Sequence, residues 1–211
     1  HELGRLHLEQ TFPEEVTTEC YENLTRDRAE KAIADAIQKG CNIIFTTTPE
    51  FVQASVQAAI AHPEVKILNC SLNTSHRYIR TYYARMYEAK FLMGAIAGAM
   101  AENGQLAYIA DYPIFGTIAN INAFALGAKM VNPRAQIYLE WSTLKDVDLG
   151  IAMDNVIKKG VTVVSGQDMV IPEDASRYFG LYHIEKEGPR NLAMPLWHWG
   201  KFYEQLINME I

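Results

Sequence analysis

The sequence predicts an α/β protein with parallel sheets, because short apolar runs alternate with helix-patterned stretches along the whole chain. Six such runs follow a glycine or another turn residue, at 41–48, 65–71, 105–112, 135–141, 161–167 and 179–184. Each run is too uniformly apolar for a strand with one face in water, which indicates burial on both faces beneath helices. We therefore expect a ligand to bind beyond the carboxyl ends of these strands, where the following loops converge.

The stretches between the runs have the periodicity and end signals of helices. In the helix predicted for Arg26–Gly40, Ala29, Ile33 and Ala36 share one face, and Gly40 is a typical helix end. Other helices are predicted in ELGRLHLEQTF near the start, at Glu50–His62, Met86–Asn103, Gly116–Val131, Asp146–Lys159 and Pro172–Arg177, and in the last residues up to Ile211. The aromatic and basic stretch Asn73–Ala84 is predicted to be an irregular crossover between two sheets.

Length and charge exclude several classes of protein. A chain of 211 residues can form one large or two small domains, and either can bury a sizeable core. Its net charge is −6 and no basic run occurs, which argues against a nucleic-acid-binding surface. The longest apolar stretch, Phe91–Ala101, is too short to span a membrane. Because the chain opens inside a predicted helix, we expect a fragment whose upstream strand and any leader are absent.

The sequence contains no metal-binding or disulfide pattern. Cys20, Cys41 and Cys70 form no CxxC pair, and we expect Cys41 and Cys70 to be buried free thiols; the redox compartment stays open. The spacing of His1 and His7 is wrong for a shared helical metal site. His198 lies between two tryptophans and is interpreted as an interfacial side chain. We therefore predict no metal and no cofactor.

Catalytic motifs are also missing. There is no GxSxG elbow, phosphate-binding loop, GxGxxG or HExxH sequence. Asp111, Asp146, Asp148 and Asp168 could pair as general acid and base, but Asp146 and Asp148 are equally typical of a helix start. An enzyme is therefore compatible with the sequence, although nothing requires one.

The predicted strand ends instead carry the residues of a small-ligand cleft. Flat aromatic side chains and short polar side chains recur there, namely Tyr112, Phe115, Trp141, Trp197 and Trp199, with Thr47, Thr48, Asn120, Asn122 and Asp168. Aromatic planes combined with a few fixed hydrogen-bonding groups are typical of sites for small planar molecules. The pattern therefore favours binding of a flat, polar solute.

Four motifs of the chain are characteristic enough to suggest a family. The first is a helix start with L-x-G-x-x-A-G, formed by Arg85, Tyr87, Glu88, Leu92, Gly94, Ala97 and Gly98. The others are IADYPI at 109–114, INAFALGAKMVNP at 121–133 and PLWHWG at 195–200. With GCNIIFTTT they cover nearly the whole chain, and the long central stretch, 82–141, is the specific part. Together they resemble the BMP family, the basic membrane lipoprotein or purine nucleoside receptor type of ABC-transporter substrate-binding protein.

The resemblance implies a type I periplasmic-binding-protein fold, in which two α/β lobes with parallel sheets close on a ligand. Lobe one would be 1–82 with 193–211, and lobe two would be 83–192. Relatives bind purines or purine nucleosides between aromatic rings. Carried over position by position, the ligand-binding residues would be Thr47, Phe51, Arg85, Glu88, Tyr112, Asn122, Asp168 and Trp197. The chain departs from its relatives at Leu144, where they have an aromatic residue, and at His183, where many have an acid or amide.

The function implied by this resemblance is that of a non-catalytic solute receptor of an ABC importer. Its partners would be a purine base or nucleoside and a membrane permease, with a lipid anchor holding the parent protein outside the cell. The alternative is the ligand-sensing domain of a regulatory protein with the same clamshell fold. A third hypothesis is an enzyme acting on nucleosides, which would release free base.

Overall fold

The computed structural model describes residues 1–71, 77–111, 113, 115–143, 147–167 and 179–210. The chain divides into two compact units. Unit 1 comprises His1–Ala84 and Trp197–Ile211, and unit 2 comprises Arg85–Leu196. Each unit has its own sheet covered by helices, so the predicted α/β class is confirmed. Helices and strands are numbered along the chain.

Unit 1 is built on a three-stranded parallel sheet in the order β1-β2-β3. Its strands are β1 (Ile43–Thr46), β2 (Lys66–Cys70) and β3 (Arg80–Tyr82), and its helices are α1 (Glu2–Thr11), α2 (Ala29–Gln38), α3 (Val52–Ala61) and α7 (Trp199–Ile207). Short 3-10 turns lead into α2 and α3. Helix α1 packs against α7, and α2 packs against α3.

The local sequence explains where α2 lies and ends. Ala29, Ile33 and Ala36 are buried on the predicted face, and the chain leaves the helix at Gly40, whose φ of +90° lies in the left-handed region. The prediction of an irregular crossover was wrong for β3, because Arg80–Tyr82 pairs in parallel with β2. Three residues with an exposed arginine at their start carry too little hydrophobic pattern to reveal a strand.

Unit 2 contains a five-stranded sheet in the order β5-β4-β6-β7-β8. Its helices are α4 (Met86–Met100), α5 (Phe115–Val131) and α6 (Leu149–Lys158), and its strands are β4 (Gln105–Ala110), β5 (Gln136–Trp141), β6 (Val163–Ser165), β7 (Leu181–Glu185) and β8 (Gly188–Ala193). Strands β4, β5 and β6 are parallel. The predicted helix at Pro172–Arg177 lies outside the described residues.

The sheet of unit 2 departs from the predicted parallel, doubly buried strands at β5, β7 and β8. Strand β7 runs antiparallel to β6, and β8, which was not predicted, returns antiparallel to β7. A tight turn joins the two, ending at Gly188 with a φ of +115°. Strand β5 lies at the sheet edge and is only partly buried. Edge strands need not be apolar on both faces, and β8 even carries Pro189 and Arg190.

Helices α4 and α5 of unit 2 pack with their backbones in close contact. A Cβ atom added at Gly94 would overlap the backbone oxygen of Phe124, and one added at Gly127 would overlap the oxygen of Phe91. At Gly98 the added atom would lie 2.6 Å from the oxygen of Ala128. This confirms that the small residues of α4 serve close packing, although their neighbour is a helix. Within the described ranges, every helix is too short or too polar to cross a membrane.

Candidate functional site

At the carboxyl ends of β1 and β2 in unit 1, three polar side chains are buried together. The Asn69 amide nitrogen donates to Thr46 Oγ1 at 2.8 Å and to the Thr48 carbonyl at 2.9 Å. Ser55 Oγ lies 2.9 Å from Thr46 Oγ1 and donates to the Phe51 carbonyl at 2.8 Å. These bonds tie the end of β2 to the turn that connects β1 with α3, so the chain after β1 is held in one conformation.

The hydrogen bonds of Asn69 fix the orientation of its amide group. The Thr48 carbonyl can only accept a hydrogen bond, so the amide nitrogen must face it and the amide oxygen must face away from it. That oxygen is buried and has no hydrogen-bond partner among the residues that the structure describes. An unpaired buried acceptor costs about 1–3 kcal/mol, which offsets part of the stabilisation from the two hydrogen bonds that the amide nitrogen donates. Sequence reasoning missed Asn69, although an asparagine inside an apolar run was a visible signal.

A second feature of unit 1 is an open aromatic pocket of about 370 Å³. It lies where β3 ends and α7 begins, which places it at the carboxyl edge of the parallel sheet. We call it the aromatic pocket, and its lining residues are Thr81, Tyr82, Tyr83, Ala84, His198, Trp199 and Phe202. The described lining contains no Asp, Glu, Lys or Arg. The pocket therefore suits an uncharged molecule with flat faces.

The rings of the pocket hold one another in fixed orientations. Tyr82 stacks on Phe202 with 4.9 Å between ring centroids and meets Trp199 edge-on at 5.4 Å. The Tyr82 hydroxyl lies 3.0 Å from that of Tyr203, and His1 Nδ1 lies 2.7 Å from the same Tyr203 oxygen. Burial raises the pKa values of Tyr82 and Tyr203 far above the ordinary range, so both remain neutral.

Trp197 lies beside the aromatic pocket and is only half buried. Its ring is stacked on that of Trp199, with centroids 5.4 Å apart and planes 7° apart, and it meets Tyr83 edge-on at 5.1 Å. Trp199, by contrast, is 8% exposed and belongs to the core of unit 1, where it also stacks on His1. Of the two tryptophans, Trp197 therefore offers the ring that a solute could reach.

The other predicted site residues of unit 1 have different environments. Thr47 is exposed directly after β1. Phe51 is 8% exposed and packs with Ala29 and Ile33 in the core, so its ring supports the turn after β1. Thr48 accepts the backbone N–H of Glu50 at 3.4 Å at the start of the following 3-10 turn.

In unit 2, the structure places two of the predicted site residues together. Arg85 and Glu88 are both exposed and form an ion pair of 3.1 Å across the first turn of α4. Asn122 is exposed on α5. Tyr112 and Asp168 lie outside the described residues, as do the side chain of Phe115 and the departure from the family pattern at Leu144. The other departure, His183, lies on β7 with Nδ1 3.5 Å from the Glu185 carboxylate.

Asp148, Asp111 and Trp141, which were also candidates from the sequence, make contacts within the fold. Asp148 accepts the backbone N–H of Ile151 at 2.9 Å and caps α6, which confirms the interpretation of a helix start. Asp111 is exposed after β4 and accepts a hydrogen bond from Thr117. Trp141 is partly buried against the core of unit 2. Asp146 lies outside the described residues.

Lys90 was not anticipated as a candidate, because a single lysine in an apolar helix has no distinctive sequence signal. It is 1% exposed in α4, with its ammonium 5.4 Å from the centre of the Tyr108 ring. On β6, which pairs with β4, Ser165 is fully buried and its hydroxyl has no hydrogen-bond partner among the residues that the structure describes. Buried polar groups thus lie on α4 and at the end of β6. The described residues contain no cluster of three side chains that could hold a metal ion.

Comparison with solved structures identifies the fold. A solute-binding protein of an ABC transporter from Conexibacter woesei aligns with a TM-score of 0.64 and 15% identity, covering 79% of this chain and 58% of that one. A transcriptional activator of the comK gene from Bacillus halodurans aligns with the same TM-score and 20% identity, covering 77% and 56%. At such identities the likeness concerns the fold alone, which is that of periplasmic binding proteins.

The family follows from the sequence comparison. The Bmp family model, described as ABC transporter substrate-binding protein, PnrA-like, matches residues 1–173, and the chain belongs to this family. The family is described as one of substrate-binding proteins rather than of enzymes, which agrees with the prediction of a non-catalytic protein.

Two curated relatives are named for different ligands. A purine-binding protein of Brucella abortus is 29% identical over 171 residues, covering 78% of this chain and 48% of its own length. An ABC transporter glucose-binding protein, so named, of Haloferax volcanii is 25% identical over 213 residues, covering 96% and 54%. The chain therefore spans about half the length of the curated relatives that it matches.

Proposed function

We propose that the protein is an extracytoplasmic solute receptor of an ABC importer and that it binds a purine base or nucleoside. The observation that carries this proposal is the aromatic pocket at the carboxyl edge of the unit 1 sheet, with Trp197 beside it. We further propose that a membrane permease receives the solute and that a lipid anchor holds the full-length protein at the membrane.

The chemistry of the pocket supports a planar heterocycle. Fixed, neutral rings offer flat apolar faces at little entropic cost, because they are already immobilised by one another. Stacking of a base on an aromatic side chain is worth about 1–3 kcal/mol and tolerates different bases. A charged ligand would find no opposite charge among the described lining residues and would lose its hydration on entry.

The remaining ligand contacts are proposed from the family pattern. Thr47 would donate a hydrogen bond to the ligand from its exposed position after β1. Phe51 would contribute indirectly, because its ring supports the turn that carries Thr47. Arg85, Glu88 and Asn122 carry exposed polar groups in unit 2 that could contact the base or ribose edges. Tyr112 and Asp168 complete the proposed set.

The proposed mechanism is closure of two lobes on the solute. We propose that units 1 and 2 correspond to these lobes. A ligand that contacts both lobes stabilises the closed state, whereas a ligand that contacts one lobe alone shifts no equilibrium. The permease would recognise the closed state and so distinguish the loaded receptor from the empty one.

The second candidate function is a ligand-sensing module of a regulator. Its support is the fold shared with the comK transcriptional activator at a TM-score of 0.64. The full-length sequence discriminates between the two functions. A lipid-attachment cysteine after a signal sequence favours the importer, whereas a helix-turn-helix favours the regulator.

A thermal-shift panel on the full-length protein tests the ligand class. The panel contains adenine, guanine, their nucleosides, glucose, a pentose and several amino acids. We expect one or more of the purines to raise the melting temperature in proportion to concentration, because binding to the folded state adds RT ln(1 + [L]/Kd) to its stability. If glucose or an amino acid raises it and every purine leaves it unmoved, the purine assignment is wrong. Release of free base from a nucleoside would instead indicate an enzyme.

A further inference from the structure

His198 is a polar residue with a fixed orientation in the wall of the aromatic pocket. It is the N-cap of α7, and its Nδ1 accepts the backbone N–H of Lys201 at 3.3 Å. A neutral imidazole carries one proton, so a ring that accepts at Nδ1 must carry that proton on Nε2. The helix cap thereby selects the tautomer, and Nε2 is a hydrogen-bond donor.

The residues around His198 leave this donor unused. The nearby carboxylate of Glu204 is already engaged, by His7 Nε2 at 2.7 Å and by Lys201 Nζ at 3.3 Å. The His7 ring meets the His198 ring edge-on, with centroids 6.3 Å apart. No acceptor for His198 Nε2 occurs among the described side chains and carbonyls that form hydrogen bonds in this region. His198 itself is exposed and lines the pocket, so a bound molecule can reach it.

The hydroxyl of Tyr82, which also belongs to the pocket lining, is already engaged within the protein. The Tyr82 hydroxyl is 3.0 Å from that of Tyr203, which in turn lies 2.7 Å from His1 Nδ1. Tyr83 and Phe202, the six-membered rings of the lining that are not buried, can hold a flat ring but do not fix its rotation within the plane. A hydrogen-bond donor of fixed direction at the rim would distinguish between stacked ligands, because each base has its own pattern of acceptor atoms along its edge.

We propose that His198 determines specificity in the aromatic pocket by donating a hydrogen bond from Nε2 to an in-plane acceptor of a planar heteroaromatic ligand. This inference rests on the proposed function, because it concerns the same pocket. The acceptor is a ring nitrogen or an exocyclic carbonyl oxygen. The pocket therefore selects heteroaromatic rings with such an acceptor over carbocyclic rings of the same size.

Two substitutions of His198 distinguish its role as the N-cap of α7, through Nδ1, from its role as a hydrogen-bond donor, through Nε2. Asparagine reproduces the position of Nδ1 and is a preferred N-cap residue, but it cannot reach the position of Nε2. Glutamine places an amide N–H near the position of Nε2 and is a poor cap. We therefore expect His198→Asn to keep the melting temperature and to weaken purine binding about tenfold, whereas His198→Gln lowers the melting temperature and keeps most of the affinity. If His198 acted on binding only as the helix cap, His198→Asn would keep the affinity and His198→Gln would lose it.

The experiment is isothermal titration of the full-length protein and these variants with the purine that gives the largest thermal shift. His62→Asn is the matched control, because His62 is exposed at the end of α3 and outside the pocket. A series of deaza analogues, each lacking one ring nitrogen, then locates the acceptor. The analogue lacking it should bind the wild type about tenfold more weakly and should lose nothing further in His198→Asn.

The possible results distinguish this inference from the function on which it rests. If purines bind the wild type and His198→Asn binds them with unchanged affinity, the role of His198 is overturned and the receptor proposal stands. If no purine binds the wild type, the purine proposal falls and this inference falls with it.

Discussion

Helices α4 and α5 of unit 2 meet through glycine and backbone, whereas β3 and α7 of unit 1 meet through aromatic rings. In unit 2 the missing side chains of Gly94 and Gly127 let two helices touch, and no space is left between them. In unit 1 the rings of Tyr82, Trp199 and Phe202 contact one another at defined angles and leave a pocket of about 370 Å³.

The difference shows how one chain can combine a rigid scaffold with a receptive surface. Backbone contacts cannot adjust, so the glycine positions at which α4 meets α5 tolerate no added atom. Planar rings pack efficiently only in a few relative orientations, and gaps at their edges and faces can admit another ring. Substitutions at the α4–α5 contact should therefore affect folding, whereas those around the aromatic pocket should affect binding.

The largest effect is expected from Gly94→Ala in unit 2. The new Cβ would overlap the Phe124 carbonyl, and since that atom belongs to a helix backbone, the two helices must separate. We expect a loss of about 3 kcal/mol in the free energy of unfolding, measured by urea titration. Gly150→Ala is the control, because its Cβ would meet a side-chain oxygen of Asp148 at 3.2 Å and no backbone atom beyond its own helix. Equal stability of the two variants would contradict the close α4–α5 contact.

A smaller effect, in binding rather than folding, is expected from Trp197→Ala in unit 1. Removal of the half-buried ring deletes one stacking face, which should weaken purine binding by about 1–2 kcal/mol, or about tenfold. The melting temperature should fall only slightly, because Trp199 keeps its contacts with Tyr82 and His1. The control is Leu196→Ala, which truncates an exposed neighbour. Titration calorimetry giving the wild-type Kd for Trp197→Ala would remove Trp197 from the site.

Most of the scaffold could be predicted from the sequence because its signals are local. The apolar runs at 105–112 and 135–141 became β4 and β5, and the spacing of Ala29, Ile33 and Ala36 gave the buried face of α2. Strand β8 escaped prediction because an edge strand can contain Pro189, Arg190 and Asn191 without burying them. Its position depends on pairing with β7, which no local pattern encodes.

The candidate site was less predictable than the scaffold. Aromatic residues near strand ends pointed to Trp197, but equally to Trp141, which packs on the core of unit 2. The role of Asn69 depends on Thr46, which lies 23 residues away and is brought near only by the tertiary fold. The contact of His198 with the N–H of Lys201 is local, but histidine is not among the preferred N-cap residues, so no signal in the sequence indicated it.

The smallest effect is expected from mildly alkaline pH, and it probes the aromatic core of unit 1 without a bound ligand. Burial raises the pKa of the Cys70 thiol from 9.0 to about 11, and burial likewise raises the pKa values of Tyr82 and Tyr203 above the ordinary tyrosine range. Between about pH 8 and about pH 10, the unfolded chain loses protons that the folded protein retains. The unfolded state is then favoured, so the free energy of unfolding should fall as pH rises.

Cys70→Ala identifies the source of this pH dependence. The variant lacks the buried thiol, so its stability should decline less steeply than that of the wild type between pH 9 and 10, whatever its starting stability. Urea titrations at closely spaced pH values give both slopes. Parallel slopes for the two proteins would mean that Cys70 titrates normally, and the interior around Tyr82 and Tyr203 would then be wetter than the packed rings of unit 1 require.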